Sequence, residues 1–419
     1  MSRLDVRLYD IHVGWLTAPA DPLDFDFEVN TDVFNHFLMD SPVMSVAVPL
    51  VPRQNQRYKS RRQNFFTELL PEGRNLSYLA QIARLSERDT FGLLSRYGLD
   101  VAGALEISPE DSGDVGSTRK PYSTLVDESK IRILLEQTAQ FPLGNDGITG
   151  KTSLAGIQTK IVLLKDAQGN WRQVHNGEAS THIIKPSVQQ YPTIIFDEAW
   201  GLELARACGI SNYASSLETF DGLSALTIER YDRDQNIIGR RIHQEDFSQA
   251  LGAAGSQKYQ EHGGKVSLKR IAGTLEKHAG TSCVKKLAQQ LTFSLAIGNL
   301  DMHAKNISML HLLDESIRLS PAYDLVPLQH QDTDGKVALS IDGEYLFKNL
   351  TRKNLLAEIA SWKSEAFATY HDIAALVDGV LKQVDEAAKV IKPHKNAYPK
   401  LQKNIVENAH RFLREENGQ

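Results

Sequence analysis

The chain changes character near residue 230, and this change restricts the folds open to it more than any other feature. Before this point, short apolar segments with a period of two predict strands, as in the alternation of Leu4, Val6 and Leu8. After Asp232 the strand patterns almost vanish and helix patterns follow one another. A strand-rich front and a helix-rich back predict an α+β protein with two lobes and a cleft between them. The C-terminal lobe is predicted to be all-α.

A chain of 419 residues is too long for one ordinary core, so more than one domain is expected. The polar, turn-rich stretch 108–122 is the best candidate for a linker. Nothing in residues 1–107 has catalytic spacing, which favours a structural or partner-binding role for that part. We expect three units: a β-rich N-terminal subdomain (1–108), an ATP-binding small lobe (109–230) and a helical catalytic lobe (231–419).

Within these units, local patterns predict individual elements. The N-terminal unit has predicted strands near its start, a further apolar strand at 43–51 and helices within 63–98. A helix is predicted at 123–140, and a hairpin turns at Asp221-Gly222. Strands, one helix and then more strands is the order of a kinase small lobe. Residues 307–310 and 317–319 fit a short hairpin that brackets the site around Asp301.

Acidic and amide side chains follow a predicted helix in the back half of the chain. Asp301 and Asn306 stand five positions apart, and Asp324 comes eighteen residues after Asn306. In protein kinases, an Asp of the catalytic loop accepts the proton of the acceptor hydroxyl, and an Asn and a later Asp hold magnesium. The order and spacing are of the same kind, although one Asp-x4-Asn match is common by chance.

Other residues supply the parts of a nucleotide site. Lys185 ends an apolar strand, where a lysine either reaches a phosphate or extends into solvent. Glu198 is a candidate partner for it, with Asp197 and Glu203 as rivals.

The loop at 153–160 contains neither a Walker A nor a Gly-x-Gly-x-x-Gly motif, but its backbone N–H groups and Lys160 can still bind phosphates. Residues 229–231 lie where a kinase hinge meets adenine, and an ordinary interdomain connection fits them equally well.

Composition excludes several classes. The two cysteines, Cys208 and Cys283, rule out a disulfide framework or a cysteine-based zinc site. The net charge of −5 does not mark the whole chain as a nucleic-acid binder. The basic stretch 382–414 fits a solvated helix face better than a DNA contact, and His243 and His303 lack metal-ligand spacing. With no signal segment or apolar run of membrane length, a cytoplasmic protein is expected.

Taken together and in order, these motifs resemble the HipA-type serine/threonine kinases, the toxin halves of type II toxin–antitoxin modules. The motifs are Ser153-Leu-Ala-Gly-Ile-Gln-Thr-Lys160, His182-Ile-Ile-Lys185, Ile228-Glu-Arg-Tyr-Asp-Arg233, His243-Gln-Glu-Asp-Phe247, Asp301-Met-His-Ala-Lys-Asn306 and Pro321-Ala-Tyr-Asp324. The resemblance covers nearly the whole chain, including its β-rich front.

The resemblance implies a two-lobe kinase that uses ATP and Mg²⁺. Asp301 would be the catalytic base, Asn306 and Asp324 the metal ligands, and Ser153 the autophosphorylation site that switches the enzyme off. The implied ATP-binding residues are Ala155, Gly156, Ile157, Gln158, Thr159, Lys160, Lys185, Glu229, Arg230, Tyr231, His303, Ala304, Lys305, Asn306, Tyr323 and Asp324.

The resemblance also implies partners. These are a HipB-like helix-turn-helix antitoxin, operator DNA bound through the toxin–antitoxin complex, and a protein substrate of the aminoacyl-tRNA synthetase class, glutamyl-tRNA synthetase in particular. Phosphorylation of that substrate would stop translation and produce dormancy. Two alternatives stay open: a small-molecule phosphotransferase of the antibiotic-kinase type, and a non-catalytic co-repressor.

Overall fold

The computed structural model of the protein describes residues 2–19, 21–110, 120–138, 143, 159–234 and 236–414. Within them the chain is a mixed α+β protein, as predicted, with several antiparallel sheets and a helix-rich C-terminal half. No helix in these ranges is long and apolar enough to cross a membrane. The predicted sites at Ser153 and at Ala155, Gly156, Ile157 and Gln158 lie outside the described residues.

The N-terminal subdomain has its own sheet and its own apolar core. Its sheet has the order β3-β2-β1-β4, and a two-residue turn with positive φ at Tyr9 and Asp10 joins β1 to β2, as hairpins favour. Asp89 caps α3 by accepting the N–H of Gly92 at 2.7 Å. The elements are β1 (Ser2–Leu8), β2 (Ile11–Ala18), β3 (Asp26–Val29), α1 (Lys59–Thr67), α2 (Gly73–Ala83), α3 (Thr90–Tyr97) and β4 (Leu105–Pro109).

The small lobe is a six-stranded antiparallel sheet covered by two helices. Its strand order is β5-β7-β6-β8-β10-β9, so Lys185 on β8 lies in the middle of the sheet. The elements are β5 (Tyr122–Leu125), α4 (Glu128–Glu136), β6 (Ile161–Lys165), β7 (Trp171–His175), β8 (His182–Pro186), α5 (Ile194–Ala207), β9 (Ser215–Phe220) and β10 (Leu223–Glu229).

The C-terminal lobe is mainly helical but not wholly so, which corrects the prediction of an all-α lobe. A three-stranded sheet with the order β11-β12-β13 and a separate two-stranded one lie within it, and the hairpin predicted around the catalytic loop is β12 and β13. The elements are β11 (His243–Asp246), α6 (Phe247–Ala250), α7 (Leu268–Ala279), α8 (Thr281–Ile297), β12 (Ser308–His311), β13 (Ile317–Leu319), β14 (Lys336–Ile341), β15 (Glu344–Leu346), α9 (Arg352–Ser361), α10 (Tyr370–Val390) and α11 (Leu401–Leu413).

Two local predictions are wrong. Residues 43–51 form a buried irregular segment and not a strand, because polar groups of the C-terminal lobe satisfy its backbone. Glu245 accepts the N–H of Val46 at 3.0 Å, and the carbonyl of Met44 bonds to His243 at 2.7 Å. The helix predicted from 123 begins only at Glu128, since the preceding residues pair with β7 as a strand.

Candidate active site

The predicted catalytic loop, residues 301–306, follows α8. The buried stripe of Val284, Leu287, Leu291 and Leu295 anchors this helix in the main core. Gly298 ends this helix with a φ of +71°, a conformation that favours glycine. Its carbonyl accepts the N–H groups of Leu328 and Gln329 at 2.9 and 3.1 Å. The end of α8 is therefore tied to the segment that follows Asp324, and both segments enter the site together.

Asn299, which the sequence did not single out, links the predicted catalytic and metal-binding residues. The N–H of Asp301 donates to Asn299 Oδ1 at 3.0 Å, and Asn299 Nδ2 donates to the carbonyl of Asp324 at 3.4 Å. On the other side, Asn306 Nδ2 donates to the carbonyl of Asp301 at 2.8 Å. Three hydrogen bonds thus connect Asn306, Asp301 and Asp324, and the only sequence signal is an Asn two residues before the Asp.

Lys185 lies between two carboxylates. Its Nζ is 2.6 Å from Glu198 Oε1 on α5 and 2.9 Å from Asp324 Oδ1. Glu198, and not Asp197 or Glu203, is therefore the partner of Lys185. Asp197 instead accepts from Thr193 and from the N–H of Tyr398, and Glu203 is exposed.

This contact fixes the charges of the site. Burial alone would lower the pKa of the Lys185 ammonium, but Asp324 and Glu198 outweigh it and raise that pKa. Burial would raise the pKa of Asp324, but Lys185 and Lys160 hold it at about 2. Asp324 also has a φ of +54°, an uncommon conformation for a residue with a side chain and one that clusters at functional sites. Asp324 is therefore a fixed, ionised carboxylate.

The pKa of Asp301 is shifted in the opposite direction from that of Asp324. Partial burial in the cleft and the negative charge of Asp324 raise the pKa of Asp301 to about 7, while Lys258 opposes this rise. Its side chain keeps 44% of its exposure, so an acceptor can reach the carboxylate. A carboxylate with a pKa near neutrality is suited to proton transfer at physiological pH.

His303 lies beside this carboxylate, with its Nε2 3.8 Å from Asp301 Oδ2. Burial and the nearby Lys258 lower the pKa of His303 to about 3, so the ring is neutral. Its buried Nδ1 has no hydrogen-bond partner among the described residues. A polar ligand bound in the cleft would satisfy such an atom.

Lys160 adds a second cation to the cleft, and Thr159 precedes it directly before β6. Burial and the positive charge of Lys185 lower the pKa of Lys160 to about 8, whereas Asp324 and Glu198 raise it. Two ammonium groups that disfavour each other are stabilised by a bound polyanion. The electrostatics of this part of the cleft therefore fit phosphate groups.

Aromatic rings form one wall between the lobes. The rings of Tyr231 and Tyr323 lie 5.1 Å apart, centroid to centroid. Ala304 of the predicted catalytic loop is fully buried in the same apolar core that these rings pack against. The hydroxyl of Tyr323 donates to the carbonyl of Lys305 at 2.6 Å and bonds with Ser308 at 2.5 Å. Tyr323 therefore braces the catalytic loop from the side of Asp324.

Two of the predicted ATP-binding side chains are engaged elsewhere. The side chain of Arg230 is buried against Asp232, Ser180 and Asp100. Its backbone N–H donates to the carbonyl of Thr181 at 2.9 Å, so it is also engaged within the protein. Lys305 pairs with two carboxylates of the N-terminal subdomain and not with a predicted nucleotide ligand.

The other hinge residue, Glu229, accepts the N–H of Ala214 through its side chain at 3.1 Å.

The oxygen donors present fit a magnesium ion that is shared with phosphates. The described residues contain no group of three or more His, Cys, Asp or Glu side chains that could hold a metal by themselves. Mg²⁺ in phosphoryl-transfer enzymes needs only one or two protein oxygens, with water and phosphates completing its shell. Asp324 is ionised, and the hydrogen bond from Asn306 Nδ2 leaves its Oδ1 as the second donor.

Comparison with known families accounts for most of the chain. Residues 152–391 match the HipA-like C-terminal domain, and residues 4–108 match the HipA N-terminal domain. The first of these matches covers more than half of the chain and includes every residue discussed in the cleft.

Individual relatives agree with this assignment. The putative kinase Y4mE of Sinorhizobium fredii is 34% identical, over 73% of this chain and 74% of its own. The serine/threonine-protein kinase toxin HipA of Shewanella oneidensis is 27% identical, over 82% and 79%.

Among solved structures, the Shewanella oneidensis MR-1 HipA complex with HipB and operator DNA shares the fold. Its TM-score is 0.77 at 23% identity, over 98% of this chain and 96% of that one.

Proposed function

The chain belongs to the HipA family of protein kinases, and we propose that it transfers the γ-phosphoryl group of ATP to a serine or threonine hydroxyl of another protein. The contact of Lys185 with both Glu198 and Asp324 carries this proposal. Protein kinases need the Lys–Glu ion pair and the metal-binding Asp in place at the same time. Here the same ammonium joins both.

Each residue of the cleft has a role in this reaction. Lys185 and Lys160 hold the phosphates, and Asp301 orients the acceptor hydroxyl and takes its proton. Asn299 and Asn306 fix the backbone of Asp301 on both sides. The neutral ring of His303 excludes water from one flank of the carboxylate and offers its Nδ1 to the nucleotide.

Asp324 and Asn306 are the residues that would hold Mg²⁺. When bound, the ion neutralises the charge on the phosphates and orients them. The chain's own contribution is to keep Asp324 ionised and aligned, which the contact with Lys185 and the hydrogen bond from Asn299 achieve.

The finer assignment is that of a toxin in a type II toxin–antitoxin module. We place a HipB-like antitoxin and operator DNA among its partners, since the structural relative was solved with both. The proposed substrate is an aminoacyl-tRNA synthetase, glutamyl-tRNA synthetase first. Ser153, which lies outside the described residues, is the proposed autophosphorylation site that turns the kinase off.

Phosphopeptide mapping tests these finer claims. The purified chain is incubated with Mg-ATP and glutamyl-tRNA synthetase, and both proteins are digested and mapped. Phosphate is expected on Ser153 and on a hydroxyl of the synthetase, and none on either protein with Asp301→Gln. Transfer that reaches only other residues of the chain would refute the role of Ser153, and an unmodified synthetase would refute that substrate.

A further inference from the structure

The connection between α1 and α2 of the N-terminal subdomain reaches the catalytic loop. Glu68 and Glu72, at the two ends of this connection, bind the ammonium of Lys305, whose Nζ is 2.8 Å from Glu68 Oε2 and 2.9 Å from Glu72 Oε1. The carbonyl of Glu68 lies 3.4 Å from the same Nζ. The N-terminal subdomain, for which a structural or partner-binding role was predicted, therefore supplies the ion pairs that fix the Lys305 side chain.

The same two carboxylates also hold a second segment of the catalytic lobe. Glu72 Oε2 is 2.6 Å from Lys258 Nζ, so each oxygen of Glu72 binds one lysine. Glu68 Oε1 accepts the N–H of Gly255 at 3.0 Å. Residues 255–259 and the catalytic loop are therefore fixed to each other through the N-terminal subdomain.

The second segment borders the predicted base. Lys258 lies close enough to Asp301 to oppose the rise of its pKa. The ring of Tyr259 packs edge-on against His303, with centroids 5.3 Å apart. The two contacts Lys305–Glu72 and Glu72–Lys258, called the Glu72 bridge below, therefore connect the predicted catalytic loop with the segment 255–259. An acceptor hydroxyl must approach Asp301 between these two segments.

Most of the charged groups in the Glu72 bridge are buried, so their contacts cannot be replaced by water. The side chains of Lys305 and Glu68 are 4% and 5% exposed, and that of Lys258 is 5% exposed. The Glu72 side chain is 22% exposed, so two cations and two carboxylates balance each other with only Glu72 partly open to solvent. Neutralising Glu72 leaves two buried ammonium groups with Glu68 as the one ionised carboxylate in direct contact with Lys305 among the described residues. Such an imbalance forces side chains and backbone to move.

We propose that Glu72 is a positioning residue of the kinase, which fixes Lys305 and Lys258 so that the catalytic loop and the acceptor side of the cleft stay aligned with Asp301. In this arrangement Lys305 is not a nucleotide ligand but the anchor of the loop. The N-terminal subdomain is then part of the catalytic apparatus. This inference rests on the proposed kinase activity.

The test separates transfer from nucleotide binding in the full-length protein. Glu72→Gln keeps the shape of the side chain and removes its charge, and Glu87→Gln is the matched control, an exposed glutamate of the same subdomain. We measure the rate of ³²P incorporation from [γ-³²P]ATP at saturating nucleotide, and the Kd of a non-hydrolysable Mg-ATP analogue. Glu72→Gln should slow transfer about tenfold or more and leave that Kd within about twofold. Glu87→Gln should change neither.

Two further variants make the outcome decisive. Glu72→Asp keeps the charge and should recover part of the rate, and Lys305→Met should slow transfer without weakening the analogue. Unchanged transfer in Glu72→Gln would overturn the proposal. So would an equal loss of transfer and nucleotide affinity, whether from a direct phosphate contact of Lys305 or from global unfolding. If the wild-type chain itself transfers no phosphate, the proposed function fails, and not this inference alone.

Discussion

Asp301 and Asp324 are carboxylates of one cleft with opposite electrostatic settings. Lys185 holds Asp324 ionised, with a pKa of about 2, whereas burial and Asp324 itself raise the pKa of Asp301 to about 7. The first setting suits a permanent ligand for a cation, and the second suits a group that must take up a proton during turnover. The contact of Lys185 with Asp324 and the partial burial of Asp301 together explain how two residues of the same type can serve two proposed roles.

The raised pKa of Asp301 can be tested by a titration of its carboxyl group. In the nucleotide-free protein, the Asp301 carboxyl should titrate near 7, as followed by carbon NMR of ¹³C-labelled aspartate with Asp301→Asn to assign the signal. Asp324→Asn removes a nearby negative charge and also frees Lys185, and both changes favour the ionised form of Asp301. Its pKa should therefore fall. An unchanged or higher pKa in Asp324→Asn would contradict the electrostatic account.

Among the elements, α5 is the one whose position the site depends on most. It carries Glu198, and Gly201, less than one turn later, packs directly on the backbone next to Asp324. A Cβ atom at Gly201 would lie 2.3 Å from the carbonyl oxygen of Leu325, which is too close for any side chain. Helix α5 and the segment around Asp324 are thus in backbone contact, and Lys185 joins them from β8.

Gly201→Ala should therefore damage the site although it adds one methyl group. The clash with Leu325 pushes α5 away from the Asp324 segment, so transfer should slow about tenfold and the Tm should fall by several degrees, about 4 °C or more. Gly273→Ala is the control, because Gly273 lies in α7 with no atom within 4 Å of the new Cβ. Equal activity of the two variants would show that the close approach of α5 is unimportant.

Elements were predicted correctly where their structure depends on residues within one segment, and wrongly where it depends on contacts between distant segments. Local patterns predicted α8, the strands from β6 to β10 and the hairpin of β12 and β13, because their periodicity and turns lie within each segment. Segment 43–51 does not form the predicted strand because its apolar residues are buried in the core of the N-terminal subdomain while its backbone bonds to β11. The carboxylate of Glu245 that accepts the N–H of Val46 is 199 positions away from it. The apolar pattern of this segment shows only that it is buried, and a strand and an irregular segment can both be buried.

The site shows the same limit. Lys185, Asp301, Asn306 and Asp324 were predicted because kinases share their order and spacing. The roles of Asn299, Glu68 and Glu72 were not predicted, since their contacts exist only in the folded chain. Lys305 and Glu68 are 237 positions apart. No spacing rule connects residues at such a distance.

On the scale of the whole molecule, the N-terminal subdomain is built into the kinase and is not an appendage. Besides the bridge at Lys305, Asp100 of this subdomain lies in a buried cluster with Arg230 and Arg233, next to the junction of the two lobes. Arg233 Nη2 is 2.8 Å from Asp100, and the side chains are at most 4% exposed. Three units therefore meet at one buried network of charges, which restricts how the lobes can move against each other.

The most direct test of the account is whether Asp301 is needed for phosphoryl transfer while the nucleotide site stays intact. Purified wild-type chain, Asp301→Asn and the exposed control Asp332→Asn are compared for ³²P incorporation from [γ-³²P]ATP and for the Kd of a Mg-ATP analogue. The account predicts that Asp301→Asn slows transfer about 100-fold or more and binds the analogue normally, while Asp332→Asn behaves as wild type. Wild-type transfer by Asp301→Asn would contradict it.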